Sequence, residues 1–288
     1  MVFLLGSSGY VGAHYADFLK QQDIPFWALS RTQYDYSRRD ILEQIIDQYH
    51  PSFIINAAGY TGKPNVDASE HQKLKCLKAN TVLPAMIAEV CAEKKIPWGH
   101  VSSGCIYSGA HPDGSGFSET DPPNFDFRHN NCSFYSGTKA LAEEIIVSES
   151  QQFYIWRLRI PFNHENNPRN YLAKLMHYKK LVDVRNSISH LDEFIRATWE
   201  CWAKKIPYGI YNVTNPGSVT TREVAELIKK HGLAPHEFSY FKDEAEFLRV
   251  AAITPRANCV MDSSKLISHG IHLTEVHEAL EQSLRSWS

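Results

Sequence analysis

A doubly wound α/β fold, built on a parallel sheet and followed by a smaller lobe, is the architecture that the 288-residue sequence predicts. Three observations lead there. Residues 1–160 alternate short apolar runs with helical apolar patterns, the mark of repeated βαβ units. A glycine-rich turn, Gly6 to Gly12, lies directly between the first apolar run and the first helical pattern. Beyond Pro161 the alternation weakens and asparagine-rich segments appear, which fits a second lobe over 161–288, with 190–215 returning to the sheet.

Each element follows from its residues. Val2 to Leu5 reads as a buried strand, and Val11, Tyr15, Phe18 and Leu19 share one face of a helix. Phe26 to Leu29 is a second strand, Ile41, Leu42, Ile45, Ile46 and Tyr49 mark a second helix, and Phe53 to Ile55 is a third strand. Leu83, Met86, Ile87, Val90 and Cys91 predict a helix, Trp98 to Ser102 a strand, Tyr135 to Val147 a helix, and Phe153 to Leu158 a strand. Between Gly104 and Tyr135 the composition turns to Gly, Pro, Asp, Asn and His without periodicity. So long a connection inside a compact domain is usually functional, so it is expected to border a site. In the second lobe, Leu191, Phe194, Ile195, Thr198 and Trp202 predict a helix, Gly209 to Val213 a strand, and Thr220 with Glu223 a capping box.

Composition narrows the function classes. With 43% hydrophobic and 22% charged residues, the chain has enough apolar surface to offset the entropy of ordering. The 30 basic and 32 acidic residues leave a charge of -2 with no long run of one sign, which argues against nucleic acid and against a polybasic membrane patch. The six cysteines form no C-x-x-C pair, and His164-Glu165 has no partner at helical spacing, so a reducing compartment and no metal are expected. The apolar opening, Met1 to Leu5, is too short for a signal core or a membrane span, and a soluble cytoplasmic protein is expected; the sequons at Asn131 and Asn212 read as chance matches.

Gly6-Ser7-Ser8-Gly9-Tyr10-Val11-Gly12, between strand and helix, suits a dinucleotide pyrophosphate, because glycines admit close backbone approach and the helix start offers unpaired N–H groups. The second strand ends in Leu29-Ser30-Arg31 rather than in an acid, and a hydroxyl with a guanidinium suits the 2'-phosphate of NADP. NADPH is therefore the expected cofactor, with NADH possible. Tyr135 and Lys139 lie four residues apart on one helix face, where an ammonium is expected to lower the phenol's pKa for proton exchange with a substrate oxygen. Ser103 would bond the same oxygen. Arg157 and Arg159 alternate on a strand and either face the cleft or pair with structural carboxylates.

With these elements together, the sequence resembles the extended short-chain dehydrogenase/reductases, a family with a Rossmann-like fold. Asn56-Ala57-Ala58-Gly59 is similar to that family's cofactor-facing loop, Asp35 takes the place of its adenine-contacting aspartate, and Lys139 also counts among the cofactor contacts. The strings Gly59 to Asp67, Gly104 to Tyr107, Asp121 to Phe125 and Asn167 to Tyr171 resemble the bifunctional nucleotide-rhamnose synthase/epimerase-reductases and their bacterial cousins, the dTDP-4-dehydrorhamnose reductases. The resemblance implies 3,5-epimerisation and 4-keto reduction of a nucleotide-linked 4-keto-6-deoxyhexose in one pocket. It implies Ser103, Tyr135 and Lys139 for reduction, Cys105 and Lys174 for epimerisation, and Thr61, Pro64, Asn65, Asn170, Arg256 and Asn258 for the nucleotide sugar. The alternatives are a 4-reductase alone and a non-catalytic NADP-binding regulatory subunit. Uridine, thymidine and guanosine stay open as the nucleotide, and a homodimer is possible.

Overall fold

The computed structural model describes residues 1–63 and 65–288. The chain begins with β1 (Val2–Leu5), α1 (Tyr10–Gln21), β2 (Phe26–Leu29), α2 (Arg39–Tyr49) and β3 (Phe53–Asn56). Two short helices follow, α3 (Ala68–His71) and α4 (Lys73–Leu77), then a π-helical turn over Lys78–Val82, α5 (Leu83–Lys94) and β4 (Trp98–Ser103). A 3-10 turn, Gly104–Ile106, precedes a long connection to α6 (Phe134–Glu149) and β5 (Phe153–Leu158). The remainder comprises β6 (Pro161–Phe162), α7 (Tyr171–His177), β7 (Lys180–Leu181), β8 (Arg185–Asn186), β9 (Ser189–His190), α8 (Leu191–Ala203) and β10 (Gly209–Asn212). It ends with β11 (Val219–Thr220), α9 (Thr221–Lys230), β12 (Ser239–Tyr240), α10 (Glu244–Val250), α11 (Ser264–Ser268) and α12 (Val276–Arg285).

Six strands form one parallel sheet in the order β10-β5-β4-β3-β1-β2. Leu4 lies opposite Ala28 on one side and Ile55 on the other. The strand order reverses beside β1, so β1 and β3 diverge into helices on opposite faces and leave a crevice at their carboxyl ends, where α/β sheets bind ligands. Alternation along β1 explains its four buried residues: Val2 and Leu4 join Tyr15 and Leu19 of α1 and Phe194 and Ile195 of α8. Phe3 and Leu5 join Leu42 and Ile46 of α2, Ile87 of α5 and Ile146 of α6. Each such fully buried side chain contributes about 1.5–3 kcal/mol of burial free energy.

A further core packs Leu172 and Leu175 of α7 against Val224 and Ile228 of α9 and Leu280 and Leu284 of α12. The predicted capping box starts α9: Thr220 Oγ1 accepts from Glu223 N at 3.1 Å while Glu223 accepts from Thr220 N at 2.6 Å. The connection after β4 is more ordered than its composition suggests. Gly109 bridges Cys259 and Phe117 bridges Met261, and Ile106, Tyr107 and Phe117 pack with Cys259 and Met261. The C-terminal segment thus ties this connection down, a long-range contact that periodicity does not encode. Among the described residues, no helix is long and apolar enough to cross a membrane.

Candidate active site

The turn after β1 is shaped for an anion. Gly6 has φ +82°, and a Cβ there would stand 2.5 Å from Ala58 N; at Gly12 one would stand 2.1 Å from Gly6 O. Only glycine lets α1 seat so tightly on the turn. The first main-chain bond into α1 runs from Ala13 N to Gly9 O at 2.8 Å, which leaves the N–H groups of Tyr10, Val11 and Gly12 ahead of it. No acid lies in the first turn of α1. Ser8 and Gly9 are exposed there, Tyr10 and Val11 half-buried. A cradle that a Cβ would fill, with donors converging on it, fits a pyrophosphate.

At the end of β2, Ser30 and Arg31 are exposed; Ser30 Oγ lies 2.6 Å from Thr32 Oγ1, and among the described residues Arg31 pairs with no carboxylate. Asp35 accepts from Ser37 N at 3.3 Å and Ser37 Oγ at 2.5 Å, and lines a surface pocket with Tyr34, Arg38 and Gln44. One expected cofactor contact needs correction. Asn56 is fully buried, its Oδ1 accepting from Ala58 N at 3.1 Å and its Nδ2 facing His100 Nδ1 at 3.1 Å, so its amide shapes the turn. A buried amide must spend its donors and acceptors on neighbours, and of this loop Ala57 and Ala58 are the half-buried residues that follow it.

The ends of β4 and α6 bring the reacting groups together. Ser103 closes β4 and its Oγ accepts from Cys105 N at 3.2 Å. Ser133 caps α6, its Oγ accepting from Ser136 N at 3.1 Å, which starts the helix one residue before Tyr135. Tyr135 and Lys139 sit one turn apart, 9% and 4% exposed. Lys139 Nζ donates to Val101 O at 3.1 Å, and burial outweighs nearby Glu143 to bring the Lys139 pKa down to about 8.

The expected lowering of the Tyr135 pKa is not found. Burial, then the neighbouring Cys105 sulfur, push the phenol above its ordinary value, against the facing Ser103 hydroxyl and Arg159. Lys139 spends its ammonium on Val101 O, and desolvation decides. The result is a phenol held protonated, suited to donate to an oxygen that gains charge.

One support was invisible in the sequence. Asn80, in the π-helical turn, accepts from Tyr60 N at 2.7 Å and donates to Tyr60 O at 2.9 Å. It fixes Gly59, where a Cβ would stand 3.3 Å from Asn80 Oδ1 and 3.7 Å from Lys139 Nζ. A π-turn breaks the helical period, so no spacing signal marks Asn80. The two strand arginines also separate: Arg157 Nη2 donates to Glu143 at 2.8 Å, whereas Arg159 Nη1 donates to Cys105 Sγ at 3.0 Å.

The other expected residues come from α3, α7 and the C-terminal segment and their flanking turns. Lys174, half-buried on α7, pairs with no carboxylate among the described residues, and burial together with Arg169 lowers its pKa. Asn170 is a second correction. It is fully buried and caps α7, accepting from Leu172 N at 3.0 Å and donating to Asn163 O at 2.9 Å and Glu165 O at 2.7 Å, so no amide group is left for a substrate. Arg256 closes both arms on Asp67 at 2.6 and 2.7 Å, rather than holding an open fork toward phosphates. Although burial opposes it, that fork holds the Asp67 carboxyl below its usual range. Asn258 donates to Glu244 and accepts from Asn186 Nδ2 at 3.3 Å. Thr61 accepts from Arg169 Nη1 at 3.0 Å, Asn65 accepts from Asp67 N at 2.9 Å, and Pro64 lies outside the described residues.

The family model described as "RmlD substrate binding domain" matches residues 1–288. A trifunctional UDP-glucose 4,6-dehydratase/UDP-4-keto-6-deoxy-D-glucose 3,5-epimerase/UDP-4-keto-L-rhamnose-reductase of Arabidopsis thaliana is 35% identical over 96% of the chain, which spans only 41% of that relative's length. The bifunctional dTDP-4-dehydrorhamnose 3,5-epimerase/dTDP-4-dehydrorhamnose reductase of Arabidopsis thaliana is 34% identical over 96% of the chain and 90% of its own length. In fold, the chain is similar to the L780 UDP-rhamnose synthase of Acanthamoeba polyphaga mimivirus, with a TM-score of 0.90 over 99% of both chains and 24% identity.

Proposed function

The chain belongs to the RmlD substrate binding domain family, and on that premise we propose that it is an NADPH-dependent reductase of a nucleotide-linked 4-keto-6-deoxyhexose that also epimerises C3 and C5, giving a nucleotide-L-rhamnose. One observation carries the reading: Ser103, Cys105, Tyr135 and Lys139 converge where β4 meets α6, so that a single ketone bound there would meet both a phenol and a thiol. The names of the two Arabidopsis relatives support the same pair of reactions.

The cofactor would lie with its pyrophosphate over Gly9 to Gly12 and its 2'-phosphate against Ser30 and Arg31, with Ala57, Ala58 and Asp35 alongside. When bound, NADPH supplies a hydride to the sugar's C4. Tyr135, kept protonated by burial, donates its proton to the C4 oxygen as that oxygen gains charge, and Ser103 orients the same oxygen. The Lys139 ammonium, one turn along α6, offsets the negative charge left on Tyr135 when its proton leaves. Protons on C3 and C5 are acidic because they lie alpha to the C4 carbonyl. Cys105 and Lys174 act on opposite faces of that carbon framework, one removing a proton and the other returning it. Thr61, Asn65, Arg256 and Asn258 border the route for the nucleotide diphosphate; Arg256 reaches phosphates only by trading Asp67 for them.

The test supplies UDP- and dTDP-4-keto-6-deoxyglucose with NADPH and identifies the product by NMR. L-rhamnose from either, with deuterium from solvent at C3 and C5, supports both activities. Turnover only after prior epimerisation by a second enzyme leaves a 4-reductase, and tight NADPH binding with no turnover leaves a regulatory subunit.

A further inference from the structure

We infer that Arg159 is a positioning residue for the epimerising half of the reaction: its buried guanidinium takes the Cys105 sulfur as counter-anion and so holds that sulfur as the proton acceptor. This rests on the reading that Cys105 works on the sugar.

Arg159 is 4% exposed and carries a permanent charge. Among the described residues no carboxylate pairs with it. Its Nη2 donates to Asn186 Oδ1 at 2.5 Å and to Ala257 O, both neutral, while its Nη1 donates to Cys105 Sγ at 3.0 Å. Its Nε is buried without an acceptor among the described residues. A buried cation without an anion is costly. Among the described residues, the titratable groups that feel the sulfur include Tyr135 and Lys139 from α6, Cys259 from the C-terminal segment, and Arg159 itself. Burial pushes the Tyr135 phenol and the Cys259 thiol up, so neither offers a negative charge to the guanidinium, and the Cys105 sulfur is the further group that its Nη1 reaches, at 3.0 Å.

The surroundings hold this geometry. Gly104 makes room, since a Cβ there would stand 2.2 Å from Met261 Sδ and 3.3 Å from Arg159 Cδ. Asn186, which holds Arg159, accepts from Cys259 N at 3.0 Å and donates to Asn258 Oδ1 at 3.3 Å. The late segment around Asn258 thus reaches the sulfur through Arg159. In the step itself, an S–H bond forms as the C–H bond alpha to the ketone breaks, and the electron pair enters the enolate. The Lys174 ammonium then protonates the opposite face of the carbon, with no net oxidation.

The test alkylates the intact chain with iodoacetamide and follows Cys105 and Cys132 by peptide mass spectrometry. Both are half-exposed, and burial holds Cys132 up to about 11, which makes it an internal reference. At pH 7 Cys105 is expected to react at least about tenfold faster than Cys132. Arg159→Gln is expected to slow Cys105 by about tenfold or more and move its pH profile at least about one unit alkaline, with Cys132 unchanged and partial recovery in Arg159→Lys. A Cys105 no faster than Cys132 in the native chain overturns the inference, even if Arg159→Gln does not fold. So does an unchanged profile in a folded Arg159→Gln. Solvent deuterium entering the sugar in Cys105→Ala would instead remove the epimerisation reading and leave this comparison standing.

Discussion

Arg157 and Glu143 form an ion pair at 2.8 Å in which both side chains are nearly sealed from solvent, at 3% and 5% exposure. The pair ties β5 to α6 directly behind the reacting groups. Glu143 also accepts from Ser102 Oγ at 2.5 Å, and Arg157 Nη1 donates to the Tyr107 hydroxyl at 2.9 Å. Such a pair adds little over an apolar replacement, but losing one member strands a buried charge.

Glu143→Ala is therefore expected to lower the unfolding free energy by about 3–5 kcal/mol, read by urea denaturation. The double variant Glu143→Leu/Arg157→Met should recover much of that loss. Strictly additive losses would show that the two charges are not coupled.

Lys139 sets an alkaline limit. Its pKa is brought down to about 8 by burial, so reduction should decline as the pH rises past about 8, while Lys139→Arg moves that limb upward. The same shift acts on stability. An unfolded lysine keeps its proton to about 10.4, so between about 8 and 10.4 the unfolded chain holds the extra proton. The burial penalty is thus complete below about 8 and relieved as pH rises through the window. Urea midpoints across that range should rise more steeply for the native chain than for Lys139→Met.

Phenol and thiol should separate. Tyr135→Phe is expected to cut reduction by about 10²–10⁴-fold and leave solvent deuterium exchange into the sugar largely intact. Cys105→Ala should do the reverse on an unepimerised substrate, while still reducing an epimerised one. Equal loss of both activities in either variant would contradict two separate roles.

Arg31 has no carboxylate partner among the described residues, so its replacement breaks nothing inside the protein. Arg31→Ala is expected to weaken NADPH by about 1.5–3 kcal/mol, the worth of a charge-assisted bond, and to leave NADH nearly unchanged. Isothermal titration with both nucleotides reads the difference, and parallel losses would exclude a 2'-phosphate contact.

Much of the molecule was legible before any coordinates. The helix around Phe194 and Ile195 runs Leu191–Ala203, and Thr220 with Glu223 forms the capping box, because both depend on neighbours within one turn. The short helices α3 and α4 and the π-turn holding Asn80 were not legible, since they are too short or too irregular for a period. Asn56 and Asn170 show a different limit. Their residue type suits a ligand and a turn equally well, and only burial separates the two.

Local order in the chain dictated the βαβ alternation, the glycine turn at the start of α1, and the one-turn spacing of Tyr135 and Lys139. These rest on backbone sterics and apolar period, which act over a few residues. Folding in space chose the partners of charge. Arg157 and Arg159 are two residues apart, yet one meets Glu143 from α6 and the other the sulfur of Cys105, held there by Asn186 and Ala257. Desolvation likewise reversed the expected shift of Tyr135. Charge and burial depend on distant segments coming into contact, as Arg159 meets Ala257 98 residues on and Arg256 meets Asp67 189 residues back, and no local pattern carries that information.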